Sequence, residues 1–299
     1  MTHVITLVAG AEEGPLAAGA VSAAMAAIAA AGGAIGQAVW LAPARACDLP
    51  FAAPHPEACH AAAMAALAGT AIDVLAVPMA GRRKRLLVTD MEATVIENEL
   101  LDDMAAMVGL EVEVGAVTRR AMAGEIDFAQ ALRDRVRLFA GQPRALLDRA
   151  AAGIRPMPGA AILVATMRGA GAATALVSGG FLVFVDRVGR LLGFQSVHGN
   201  VLGMDGDRLS GDIPSLPVTA AGKRDVLLRL AAEQGLDLEA TMAIGDGAND
   251  IPMLAAAGLG IGFHPKPVVA RAVANRIVHG DLTAALFAQG YRADELIGG

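Results

Sequence analysis

What this sequence withholds narrows its class before any motif is found. Among 299 residues there are two cysteines, Cys47 and Cys59. They match neither a disulfide-rich pattern nor a zinc-site spacing, so a disulfide scaffold is excluded and inert thiols in a reducing compartment are expected. The six histidines are scattered, with no HExxH or comparable cluster, which gives a histidine metal site no support. Positive charge is also short: 24 Lys and Arg against 30 Asp and Glu leave a net charge of -6. Nucleic acid and anionic membrane call for a basic face, so neither is expected as a partner. A small anionic substrate needs only local positive charge and stays open.

A convincing targeting segment is lacking too. No charged residue occurs between Glu13 and Arg45, and residues 17–31 are long enough to resemble a signal-peptide core. However, Glu12 and Glu13 precede the run where a secretory signal wants positive charge, and the run is mostly alanine and glycine rather than leucine. A helix of a small domain is expected there, and the cytoplasm as location. Repeats are absent, and the alanine enrichment is a helix-forming bias.

What is present is core-forming material, 55% hydrophobic residues, over a length that suggests two domains. Residues 1–82 fit a βαββαβ plan: strands at 4–8, 38–41, 47–51 and 72–77, helices at 15–30 and 56–67. That order is the split-βαβ, ferredoxin-like motif. Such modules often bind small ligands or mediate homodimers, so an interaction or regulatory role is expected of it. The basic run at 81–85 reads as a solvated domain boundary. Helices at 100–108, 112–122, 127–139 and 142–152 follow, an inserted helical subdomain. In the third, Phe128, Leu132, Val136 and Phe139 form an apolar stripe, with Arg133 at its border as a candidate carboxylate ligand. Alternating strands and helices then resume, with a hairpin at 201–211 turning on Asp205-Gly206.

The chemistry sits where strands end. Residues 86–88 are a short apolar run leading into Asp90, Glu92 and Thr94, and in an open α/β sheet ligands bind just outside the carboxyl ends of strands. A second strand ends in Ser178-Gly179-Gly180, where a hydroxyl and glycine amides can approach an oxyanion. Lys223 opens a helix, and residues 241–244 run into Gly245-Asp246-Gly247-Ala248-Asn249-Asp250, an oxygen-rich turn suited to a hard cation such as Mg²⁺. Nucleophile, cradle, lysine and acidic cluster are the parts phosphoryl transfer needs.

With those motifs in this order, the chain from residue 86 onward resembles the haloacid dehalogenase superfamily of phosphatases, and within it the phosphoserine phosphatases. The resemblance implies a doubly wound, Rossmann-like α/β core over residues 83–97 and 157–299, a helical cap over 98–156, and an ACT-like ferredoxin fold for 1–82. It also implies hydrolysis of O-phospho-L-serine, the last step of serine biosynthesis, through an aspartyl-phosphate on Asp90. Mg²⁺ would be held by Asp90, the Glu92 main-chain carbonyl and Asp246, with Asp250 in support. Ser178, Gly179 and Lys223 would bind the phosphoryl group, with Asn249 helping to orient the site, and Glu99 would take the substrate ammonium and Arg133 its carboxylate. One departure stands out: the family has aspartate at 92 as general acid and base and commonly serine at 93, where this chain has Glu92 and Ala93. The extra methylene is expected to slow proton transfer, since misplacement by about 1 Å can cost about 100-fold. Action on another small phosphate ester, or a ligand-binding role with weakened turnover, are the alternatives.

Overall fold

A computed structural model describes residues 1–10, 14–214 and 218–298. The chain begins with β1 (His3–Ala9), α1 (Ala18–Ala30), β2 (Ala34–Ile35), β3 (Val39–Ala42), β4 (Ala46–Ala52), α2 (Pro56–Ala66) and β5 (Ile72–Pro78). These strands form one antiparallel sheet in the order β2-β4-β1-β5, with β3 also paired to β4. Alternation of apolar residues gives the sheet two buried faces. Ile5, Leu7, Leu49 and Phe51 pack on one side against Val21, Ile28 and Cys59 of the two helices. Val4, Val8, Leu75 and Val77 turn the other way. The first helix starts at Ala18, so Pro15 lies in the approach to it rather than in its first turn.

The second part opens with β6 (Leu86–Thr89), then α3 (Leu100–Val108), α4 (Glu111–Met122), α5 (Phe128–Arg137) and α6 (Ala145–Ala152). Next come α7 (Ala160–Gly169), β7 (Ala173–Phe181), α8 (Leu182–Leu192), β8 (Ser196–Asn200), and the short pair β9 (Met204–Asp205) and β10 (Arg208–Leu209). The last stretch holds α9 (Ala220–Glu233), β11 (Thr241–Gly245), α10 (Ile251–Ala256), β12 (Leu259–Phe263), α11 (Pro267–Ala272), β13 (Asn275–Ile277) and α12 (Ala284–Ala288). Helix α6 begins three residues later than the periodicity suggests. The amides of Gly141 and Arg144 donate to the carbonyls of Leu209 and Asp207, and Gln142 accepts from Leu209, so this segment pairs with β10 instead of coiling. The β9–β10 loop is Gly206-Asp207, one residue beyond the expected turn, with Gly206 at φ 58°.

Six strands make a parallel sheet in the order β13-β12-β11-β6-β7-β8. The chain walks from β6 outward through β7 to β8, then returns to β11 on the other side of β6. The strand order therefore reverses between β6 and β11, and a crevice opens there at the carboxyl ends. Register brings the ends level: Thr89 is opposite both Ile244 and Leu176, and the Asp90 amide donates to Ile244 O at 2.9 Å.

The first sheet is seated on the second part by buried polar groups as well as apolar ones. Val4, Val8, Leu75 and Val77 share a core with Leu286 and Phe287 of α12. The Asn275 side chain takes both the N–H and the C=O of Ala76, at 2.8 and 3.1 Å. Asp73 accepts from the amides of Val278, His279 and Gly280. Arg82 makes a fork onto Asp48 (2.5 and 2.7 Å) and also donates to Thr6 and to the carbonyls of Phe287 and Ala288. Among the described residues, no helix is long and apolar enough to cross a membrane.

Candidate active site

Asp90 sits at the switch between β6 and β11, 6% exposed. Its Oδ1 accepts from its neighbour's amide, Met91 N–H, at 2.7 Å and lies 2.7 Å from the Lys223 ammonium. Among the described residues nothing bonds to Oδ2, which leaves one carboxylate oxygen for the cleft. Lys223 is carried to this point by α9, whose N-cap Thr219 accepts from the Gly222 amide. Its Nζ also donates to Asp250 Oδ1 at 2.7 Å. Burial works against the lysine's charge, but Asp90 and Asp250 outweigh it and hold its pKa at about 12. Burial and then the nearby Asp250 push the Asp90 carboxyl above its ordinary range, against the pull of Lys223.

The turn after β11 supplies the remaining acids. Asp250 folds back beneath Gly245, where a Cβ would run into its carboxyl, and its Oδ2 accepts from the Gly247 amide at 3.0 Å. One carboxylate oxygen from each of Asp90, Asp246 and Asp250 falls within a 4.8 Å group, all three side chains buried. An all-oxygen, multiply anionic donor set of that size fits a hard divalent cation. Lys223 and Gly247 occupy both oxygens of Asp250, which suits it to support such an ion rather than to be its main ligand.

Across the crevice, Ser178 and Gly179 lie inside β7, which runs on to Phe181 past the expected strand end, with a register shift against β8 between Val177 and Phe181. The Ser178 hydroxyl accepts from the Gly180 amide at 2.8 Å, so its own proton is free to donate. Asn200 fixes this turn by donating to Gly179 O at 2.7 Å while accepting from Val218 N–H at 2.7 Å.

Glu92 reaches toward the helical insertion. Its Oε1 accepts from the Leu100 amide, the first residue of α3, at 2.7 Å. A Cβ at Gly180 would stand 3.2 Å from its Oε2, so the glycine leaves room for the longer arm. Loss of solvent around the carboxyl, reinforced by Glu99, raises its pKa to about 7, against the Leu100 amide, Lys223 and Arg135. The loop that makes this reach passes through Ala93 at φ 51°, an uncommon conformation for a residue with a side chain.

Most of these groups line a cleft of about 140 Å³. The cleft brings Asp90, Glu92, Glu99, Ser178, Gly179, Asp246 and Asn249 into one space, with Lys223 and Asp250 directly behind Asp90. Arg133 is the exception. The arginine on the cleft wall is Arg135, while Arg133 does not line it. Two residues along a helix is a turn of about 200°, so the two guanidiniums leave α5 on opposite sides. A sequence signal for Arg135 does exist: it follows Phe128 by seven residues, two turns of helix, and so shares its face. Asp102, Phe128 and Lys266 are further lining residues that motif reasoning misses. Lys266 follows β12, a strand whose glycines hide its alternation.

Residues 87–255 match the haloacid dehalogenase-like hydrolase family. A phosphoserine phosphatase of Streptomyces coelicolor is 40% identical over 232 residues, 78% of this chain and 57% of the relative. The phosphoserine phosphatase of Lactococcus lactis is 39% identical over 203 residues, 68% of this chain and 94% of the relative. The unliganded crystal structure of a probable phosphoserine phosphatase from Vibrio cholerae superposes with a TM-score of 0.77 at 28% identity, covering 98% of this chain and 88% of that one. The chain spans a little over half the length of several of its curated relatives.

Proposed function

The chain belongs to the haloacid dehalogenase-like hydrolases, and from that premise we propose that it hydrolyses O-phospho-L-serine to L-serine and phosphate, closing serine biosynthesis in the cytoplasm. One observation carries this reading: Glu99 and Arg135 stand in the same small cleft as Asp90. An amino acid presents one ammonium and one carboxylate, and a phosphate ester lacking them has no use for both partners. The curated relatives named as phosphoserine phosphatases support it.

The residues then divide the work as follows. The Ser178 hydroxyl and the Gly179 amide hold the phosphoryl oxygens, the buried Lys223 steadies Asp90 from behind, and Asn249 orients the group from the facing turn. Asp90 Oδ2 attacks phosphorus, the bond from phosphorus to the serine oxygen breaks, and that oxygen takes the proton held by Glu92. A water next attacks the phosphorus of the aspartyl-phosphate, its proton passes to the Glu92 carboxylate, and phosphate departs from Asp90. Asp90, the Glu92 carbonyl and Asp246, backed by Asp250, would hold Mg²⁺, which supplies charge neutralisation at the phosphoryl oxygens. Helices α3 to α6 form the lid that keeps bulk water out.

The test is phosphate release from a small panel. O-phospho-L-serine should exceed O-phosphoethanolamine, which lacks the carboxylate, and glycerol phosphate, which lacks both charges, by at least about 100-fold in kcat/KM. Equal values would sink the serine reading and leave a general phosphomonoesterase.

Glutamate at position 92 has its own expected outcome. The longer arm spans the gap to the Leu100 amide, so the methylene is used rather than surplus. Glu92→Asp should therefore lose about 10- to 100-fold in kcat on phosphoserine, because its carboxylate falls short of that anchor. A variant as fast as the wild type, or faster, would mean that glutamate is a handicap the protein tolerates.

A further inference from the structure

The acidic group at the switch point is not balanced by Lys223 alone. Asp90, Asp246 and Asp250 carry three carboxylates around one buried ammonium. A second ammonium arrives from the opposite side: Lys266 Nζ lies 2.9 Å from Asp246 Oδ2. The two lysines are built differently. Lys223 is sealed in, its side chain 1% exposed, whereas the Lys266 side chain is 57% exposed and lines the cleft.

Only the arm of Lys266 is free to move. Its amide donates to Asp246 O at 2.9 Å, and it is the N-cap of α11, with Pro267 fixing the next φ. The turn before it is equally constrained, with His264 at φ 39° and a Gly262 whose Cβ would touch Pro265 and Val273 at 3.1 Å. A pinned backbone thus presents a long, solvated side chain whose ammonium sits on an oxygen that a divalent cation needs. Two cations cannot share that oxygen closely without strong repulsion.

We propose that Lys266 is a tethered counter-ion of the metal site: it neutralises Asp246 before the divalent cation binds and swings into the cleft when the cation arrives. This rests on the assignment of Asp90 and Asp246 as metal ligands. Lys266 then weakens cation binding to the free protein and stabilises the protein without metal, two effects that a merely structural lysine would not combine.

The experiment titrates Mn²⁺ into the substrate-free protein and follows free Mn²⁺ by electron paramagnetic resonance, for wild type, Lys266→Met and Lys266→Arg. Lys266→Met should bind Mn²⁺ at least about tenfold more tightly, and Lys266→Arg, which keeps the charge, should match wild type. In EDTA, Lys266→Met should also melt below wild type, and Mn²⁺ should close the gap. Unchanged or weaker Mn²⁺ affinity in Lys266→Met, with wild type binding normally, overturns the counter-ion role alone. If neither protein binds Mn²⁺, the metal assignment fails and the counter-ion role falls with it.

Discussion

Asp90→Asn ends phosphate release from O-phospho-L-serine, with kcat falling by at least about 10⁴-fold. The amide keeps the shape of the carboxyl but has no nucleophilic oxygen, and no other carboxylate is placed to replace it. Asp250 is tied at both oxygens, and Asp246 would be taken up by the divalent cation. The fold should survive, because Lys223 retains Asp250 at 2.7 Å and one negative charge leaves a crowded acidic group. Melting temperature checks that point. Acid quench of the wild type during turnover should trap phosphate on residue 90, and the variant should trap none. Wild type in EDTA should fall silent in the same assay and recover with Mg²⁺, while the variant recovers with nothing. A variant that keeps substantial turnover would remove the nucleophile from the account.

Arg135→Ala is the second large effect. A planar guanidinium facing a substrate carboxylate makes two charge-assisted hydrogen bonds, and their loss in an enclosed cleft is worth about 2 to 4 kcal/mol, or roughly 30- to 1000-fold in kcat/KM. The loss should appear mainly in KM, since the carboxylate is held alike in ground and transition states. Arg133→Ala should stay close to wild type. O-phosphoethanolamine gives the internal control: lacking a carboxylate, it should be hydrolysed almost equally by wild type and Arg135→Ala. A large effect on that substrate as well would mean that Arg135 acts on the phosphoryl group or on the fold instead.

The contrast between these two arginines locates the boundary of what sequence can tell. Strand ends were legible because chemistry follows the buried run directly: Asp90 and Asp246 stand just beyond β6 and β11, and Ser178 follows the run 174–177 of β7, although that strand continues to Phe181. Helices α3 to α5 were legible from their apolar period. Choosing between Arg133 and Arg135 demands the rotation of α5 about its axis, which packing against α4 and the core decides. Arg135 tracks the apolar face through Phe128, and that face is the one turned to the cleft. Other groups were hidden for a different reason. Asn200 acts through its side chain on a turn twenty-one residues earlier, and Glu92 finds its partner in the amide of Leu100, a backbone atom that no residue type advertises. The start of α6 was hidden likewise, because its competing partner is the backbone of β10.

The seating of the first sheet has a practical side. Residues 1–82 cover Leu286 and Phe287 and accept from three successive amides at Val278, His279 and Gly280 through one carboxylate. A chain relieved of that stretch would carry a greasy patch beside a row of unanswered N–H groups at the margin of the parallel sheet. Poor solubility in such a fragment would report on the torn seam, not on the chemistry a few strands away.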